Sequence, residues 1–262
     1  VTEMPGEGMR SLFRSFAKRA RRVLWGEACV SCGKMDAGDE VLCPSCAAAF
    51  QRKLAEKCPD CGSPRFECYC MPPRLSDAGC GFLAKLAAYS PKDTECPVNR
   101  IIWRQKRVRD RESAAFLAEL LSVPVREMFK GLGIDPADVT VTYVPRDPDK
   151  VLAAGHDQAR LLAAAMAESL GTDCRRLIDR SRGATEQKKL TAEERSINVR
   201  RVFSLSRRVG ENELEGKTVL LIDDLVTTGA TAAACVSVLA GAGARVFCAS
   251  VAFTPLKTEK TE

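Results

Sequence analysis

The sequence predicts an α/β protein, with a mainly parallel sheet flanked by helices and a small N-terminal module built around metal. Three observations carry this expectation. Short strand-like runs near Val139–Val144, Arg175–Ile178, Arg201–Leu205, Thr218–Ile222 and Val246–Ala252 are separated by stretches of helical length, which suits parallel strands covered on both faces. Val219 to Ile222 is continuously apolar and opens through two carboxylates and a small-residue turn onto a helical run from Ala232 to Leu239. Ten of the 13 cysteines lie before residue 97; the odd total cannot be wholly paired, and such crowding at one end does not suit a disulfide scaffold.

The remaining composition is that of a globular protein. The chain has 262 residues, 45% apolar and 28% charged, which excludes a disordered or fibrous class. No apolar run approaches the roughly 18–20 residues that span a bilayer, so no stable membrane insertion is expected. The first residues lack the apolar core and cleavage site of a signal peptide, and a cytoplasmic location is the expectation. The net charge of +6 permits a polyanionic partner without requiring one.

Along the chain, residues 1–26 form a basic extension. Arg10, Arg14, Lys18, Arg19, Arg21 and Arg22 accompany Leu12, Phe16, Ala20 and Val23 at helical spacing. Two readings stand for this amphipathic helix: docking on its own domain, or lying on an anionic partner. Residues 27–75 hold the cysteine module and residues 76–262 the larger domain.

Cys29/Cys32 and Cys43/Cys46 are two CxxC knuckles with ten residues between them. Placed on a short hairpin, they bring four thiolates to the corners of a tetrahedron, the arrangement of a structural zinc site. Gly33 suits the tight backbone of such a knuckle. The second quartet is Cys58, Cys61, Cys68 and Cys70; its last pair has one intervening residue, which strains chelation by both sulfurs. One zinc is expected and a second is compatible with the spacing. Cys80 and Cys96 stand in reserve, and pairing of Cys29/Cys32 with Cys58/Cys61 stays open. Thiol–disulfide chemistry is the competing reading of CxxC, disfavoured by the regularity of the pairs. Cys174, Cys235 and Cys248 fall on expected strands or helices of the larger domain as core residues.

At the other end, Asp223 and Asp224 close the apolar strand and Thr227, Thr228, Gly229, Ala230 and Thr231 form the turn before the helix. Strand, small-residue turn and helix N-terminus aim free backbone N–H groups at an anion. The carboxylates cannot bind phosphate, but they can accept hydrogen bonds from vicinal sugar hydroxyls. Gly210 to Thr218 imitates a P-loop but has five residues between its glycines where four are needed, and it precedes the strand.

Val219 to Thr231, V-L-L-I-D-D-L-V-T-T-G-A-T, resembles the thirteen-residue signature of type I phosphoribosyltransferases. With the cysteine ribbon, the chain resembles the ComF family, which joins a double zinc ribbon to a type I phosphoribosyltransferase-like domain. Arg100 to Leu121, Val141 to Ala163 and Gln187 to Phe203 resemble further stretches of that family. The resemblance implies a type I phosphoribosyltransferase fold and roles for individual residues. Asp223 and Asp224 would hold the ribose hydroxyls of phosphoribosyl diphosphate, Thr227 to Thr231 its 5′-phosphate, and Pro145 and Arg146 would lie near the diphosphate, with Mg²⁺ arriving alongside. Ser181 to Ile197 is the candidate closing loop. The family turn Arg-Gly-Phe-Asn-Gln is replaced by Ala154-Gly155-His156-Asp157-Gln158, so an arginine facing the diphosphate is missing. His156 is the only histidine; beside the reading as a general base stands that of a packing or solvated residue.

Arg100 to Arg111 carries six cations with Trp103 interleaved, and Arg104, Lys106 and Arg107 are the candidates for single-stranded DNA. The alternative is a helix start whose cations pair locally or face the diphosphate. Three functions follow: a phosphoribosyltransferase, a nucleic-acid-handling accessory of competence and DNA uptake, or a zinc-ribbon adaptor for a helicase-type partner.

Overall fold

The computed structural model describes residues 28–35, 41–64, 67–68, 70–181 and 202–256. The N-terminal basic helix and, beyond Ser181, the candidate closing loop fall outside these residues. The elements are α1 (Pro44–Ala55), α2 (Pro73–Asp77), β1 (Cys80–Ala88), α3 (Pro97–Arg107), α4 (Arg111–Gly131), β2 (Val139–Tyr143), α5 (Pro148–Ala154), α6 (Gln158–Leu170), β3 (Ile178–Arg180), β4 (Phe203–Leu205), β5 (Thr218–Val226), α7 (Ala230–Gly241) and β6 (Arg245–Phe253).

Four strands form one parallel sheet in the order β1-β6-β5-β2. The continuous apolar run of β5 is explained by burial on both faces. Leu220 and Ile222 join a core with α1, α3, α4 and α6, while Val219 and Leu221 join another with α2 and α7. Cys235 and Cys248 are buried core residues, and Cys174 is half-buried. β5 lies between β6 and β2, so its carboxyl end opens at the middle of the sheet, where such folds bind ligands.

Two departures from the sequence expectation have physical causes. The run near Arg175–Ile178 does not join the parallel sheet. Cys174 makes a single bridge to Val141, after which Arg175 and Arg176 would put a charge on each face of a strand. The chain turns away, and Ile178–Arg180 pairs antiparallel with Phe203–Leu205. The second departure is β1, whose central Lys85 breaks the apolar pattern although the strand is mostly buried. Cys80 is thereby a core residue of β1, and Cys96 caps the start of α3, its N–H donating to Asp93 Oδ1 at 3.0 Å. Neither belongs to a metal-competent cluster.

Candidate functional site

The described cysteines gather as two quartets, Cys29/Cys32/Cys43/Cys46 and Cys58/Cys61/Cys68/Cys70, with all sulfurs of a quartet within 4.8 Å of one another. Pairing across the quartets does not occur. The two leading knuckles share one backbone design. Gly33 N–H donates to Cys29 O at 2.8 Å and Gly62 N–H to Cys58 O at 2.8 Å, each glycine with positive φ. Val30 N–H reaches Val41 O at 3.1 Å, joining the two arms, and the second arm runs straight into α1, with Cys43 as its N-cap. Cys68 and Cys70 both reach their cluster despite the single intervening residue.

The donor sets fit zinc. A tetrahedron with Zn–S of about 2.3 Å separates its sulfurs by about 3.8 Å. The Cys32–Cys43 and Cys61–Cys68 sulfur distances are 3.8 and 3.6 Å. Electrostatics agree with the geometry. Hydrogen bonding from Ser45 pulls the Cys43 thiol down to about 6, and the Ser63 backbone pulls Cys61 to about 6. Burial pushes Cys46 and Cys70 up to about 12. Sulfurs this crowded cannot all ionise beside one another unless a cation is shared among them.

The second site is a cleft of about 450 Å³ at the carboxyl ends of β5 and β2. Asp223 and Thr227 to Thr231 line one wall, Val144, Pro145, Arg146 and Asp147 another, and Lys106, Lys150, Gln158 and Arg180 complete it. Thr227, Thr228 and Thr231 are exposed, and the N-terminus of the twelve-residue α7 follows directly. Its first N–H groups have no carbonyl within the helix to bond and border the cleft. Gly229 has φ +74°, and a Cβ there would lie 2.9 Å from Pro72 Cβ and 3.0 Å from Leu75 Cδ1. The close approach that demands glycine is therefore to the segment after the second cysteine quartet.

Asp224 is buried and Asp223 half-buried, with Asp224 N–H donating to Asp223 Oδ1 at 2.8 Å. Burial, then the neighbouring Asp224 charge, raises the Asp223 carboxyl well above the ordinary carboxylate range, while Lys106 opposes the shift. Lys106 Nζ lies 3.2 Å from Asp224 Oδ2, an ion-pair distance, yet this buried oxygen has no hydrogen-bond partner. Gln158 Oε1 and Arg180 Nε on the cleft wall are likewise buried and unpartnered.

The remaining candidates separate. Arg146 lines the cleft, but its side chain donates to Lys106 O at 3.2 Å and His156 O at 3.5 Å, and its backbone N–H to Asp157 Oδ2 at 3.0 Å. Asp157 caps α6, accepting from Ala159 N and Arg160 N. His156 is buried, with Nδ1 2.9 Å from Ala154 O and Nε2 2.6 Å from Gln105 O, and joins two segments of backbone. Of the three DNA candidates, Arg104 pairs with Asp110 at 2.9 Å, Lys106 turns into the cleft, and Arg107 is exposed. Sequence reasoning missed Arg180, Lys150 and Asp147. Arg180 stacks on Phe203 with 5.4 Å to the ring centroid and lies 3.5 Å from Asp147 Oδ2. No helix among the described residues is long and apolar enough to cross a membrane.

Residues 146–262 match the family described as "Phosphoribosyl transferase domain". The chain is 29% identical over 211 residues to the DNA utilization protein YhgH of Salmonella typhimurium strain LT2, covering 78% of this chain and 86% of that one. It is 27% identical over 223 residues to the same-named protein of Escherichia coli strain K12, covering 84% and 86%. Among solved structures, a glutamine phosphoribosylpyrophosphate (PRPP) amidotransferase from B. subtilis, complexed with ADP and GMP, matches 44% of this chain at 26% identity and a TM-score of 0.31. The matched part is 22% of that protein. The parallel sheet, the acidic strand end and the threonine loop are thus those of a type I phosphoribosyltransferase domain. Joined to two cysteine quartets, and similar over most of its length to the DNA utilization proteins, the chain resembles the ComF family.

Proposed function

We propose that this protein binds phosphoribosyl diphosphate with Mg²⁺ in the cleft at the end of β5, as a phosphoribosyltransferase-like protein serving DNA uptake and use. The observation that carries the reading is the acidic strand end, with Asp223 lining the cleft beside a threonine loop and a helix N-terminus and the buried Asp224 facing Lys106. A ribose supplies hydroxyl donors for the acidic pair, and its 5′-phosphate meets the loop N–H groups. The diphosphate lies toward Pro145 and Arg146. Transfer in such a site places C1 between a departing diphosphate and an attacking nitrogen, and positioning with charge neutralisation carries it. The two quartets take zinc as closed four-sulfur sites that hold the 27–75 module together.

The DNA association is supported by the similarity to the DNA utilization proteins. Direct contact of single-stranded DNA with Arg104, Lys106 and Arg107 has less support, since two of the three are engaged within the protein. A helicase-type partner rests on the cysteine module alone.

Calorimetry with phosphoribosyl diphosphate and Mg²⁺, on the wild type and on Asp223→Asn/Asp224→Asn, tests the reading. Saturable binding lost in the double variant is expected; a wild type that takes up no heat refutes it. Diphosphate release on offering nucleobases then reports turnover.

A further inference from the structure

The altered turn at Ala154–Gln158 removes an arginine, and Arg146 is committed to two carbonyls. Of the cleft's other cations, Lys150 is exposed, Arg180 is stacked on Phe203 and close to Asp147, and Lys106 is the one that reaches the acidic pair itself. Lys106 stands on the last turn of α3, outside the span that matches the phosphoribosyl transferase domain. Its side chain is 35% exposed and ends 3.2 Å from an Asp224 side chain that is 8% exposed.

The backbone beneath Lys106 is held from two directions. Arg146 donates to Lys106 O, and His156 Nε2 contacts Gln105 O. Arg146 comes from the strand end where the diphosphate is expected, and His156 from the turn between α5 and α6. The two residues that invite a chemical role on sequence grounds therefore act on the position of a third. With the backbone fixed and a four-carbon stem free, Nζ can exchange partners within the cleft without a movement of α3.

On the reading of the cleft as a phosphoribosyl diphosphate site, we propose that Lys106 is its exchange cation. In the free protein, Nζ neutralises Asp224. When the ligand enters, Nζ transfers to the more highly charged diphosphate, and Asp224 is released to accept the ribose hydroxyls. One side chain thus couples recognition of the two ends of the ligand. A sugar phosphate without diphosphate must displace Lys106 from Asp224 with nothing to offer it. The intact ligand displaces and rehouses it in one event.

The coupling predicts effects of opposite sign. Calorimetry with Mg²⁺ compares phosphoribosyl diphosphate, inorganic diphosphate and ribose 5-phosphate on the wild type, Lys106→Gln and Lys106→Arg, each checked for an unchanged melting profile. Lys106→Gln weakens both diphosphate compounds by about tenfold or more, the loss of one charged hydrogen bond, and tightens ribose 5-phosphate. Lys106→Arg restores the diphosphate compounds. Parallel weakening of all three ligands in Lys106→Gln overturns the exchange and leaves Lys106 as a support for Asp224. Unchanged affinities overturn its presence in the site. A wild type that binds none of the three overturns the cleft assignment itself, and the exchange with it.

Discussion

Replacing Gly229 with alanine tests how the threonine loop is held. Two costs arise at this position. With φ at +74°, a Cβ meets the steric penalty of the left-handed region, about 1–2 kcal/mol. The same Cβ would stand 2.9 and 3.1 Å from Pro72 side-chain carbons and 3.0 Å from Leu75 Cδ1. Proline cannot swing aside and Leu75 is fully buried, so the second cost is that of overpacking, about 1–3 kcal/mol. Gly171→Ala supplies the control: φ is +74° and nothing lies within 4 Å of its Cβ, so only the first cost applies. Urea unfolding of the two variants should differ by about 1–3 kcal/mol, and thermal midpoints by about 2–12 °C, with Gly229→Ala the less stable. Equal midpoints would refute the contact with Pro72 and Leu75 as a determinant of the loop.

Two further outcomes follow from buried charge. Because the folded state raises the Asp223 carboxyl, chiefly by burial, the folded protein holds more protons than the unfolded chain as pH rises above about 4. Its contribution to stability therefore falls toward neutral pH; Asp223→Asn should raise the melting temperature of the ligand-free protein at pH 7, with a gain that shrinks toward pH 4. A gain that grows on acidification contradicts the sign. Lys85 is 2% exposed, donates to Cys70 O and lies 4.6 Å from the Phe253 centroid, with no carboxylate pairing it among the described residues. With zinc bound, its ammonium would offset the negative charge that four thiolates leave on the centre, so in the zinc-loaded protein Lys85→Met should release one zinc at lower chelator concentration while the other is retained. Unchanged retention of both rejects this role.

What could be read from the sequence depended on how locally each feature is encoded. The quartets were legible because each knuckle is fixed by covalent spacing, and β5, its loop and α7 because strand, anion loop and helix follow one another without interruption. The second knuckle's entry into a helix was not legible, since no spacing distinguishes it from a hairpin. β1 escaped notice because Lys85 at its centre reads as a solvent-facing residue, and only the surrounding fold shows its head group meeting a carbonyl and a ring. The Lys106–Asp224 pair joins segments far apart in the chain, so the basic character of Arg100–Arg111 left open both a strip for nucleic acid and cations that pair locally or face the diphosphate. Helical phase separates them: Gln105 is buried, Lys106 reaches the cleft and Arg107 faces solvent.

The same long-range contacts bear on which part of the chain makes the site. The phosphoribosyl transferase match begins at Arg146, yet β1 and β2, half of the four-stranded sheet, precede it. Val144 and Pro145 form part of the cleft wall, Lys106 faces the acidic pair, and Pro72 and Leu75 back the loop at Gly229. The cysteine module is joined to this framework at two points. Cys29, Cys43, Cys46 and Phe50 share a core with α3, α4 and the sheet, and Lys85 ties β1 to Cys70, two residues before Pro72. A quartet that gathers Cys68 and Cys70 therefore also fixes the start of the short segment on which the threonine loop rests. The segment that follows the cysteine quartets and the threonine loop meet at Gly229, which explains why a residue chosen by its φ is also enclosed by side chains from a distant part of the sequence.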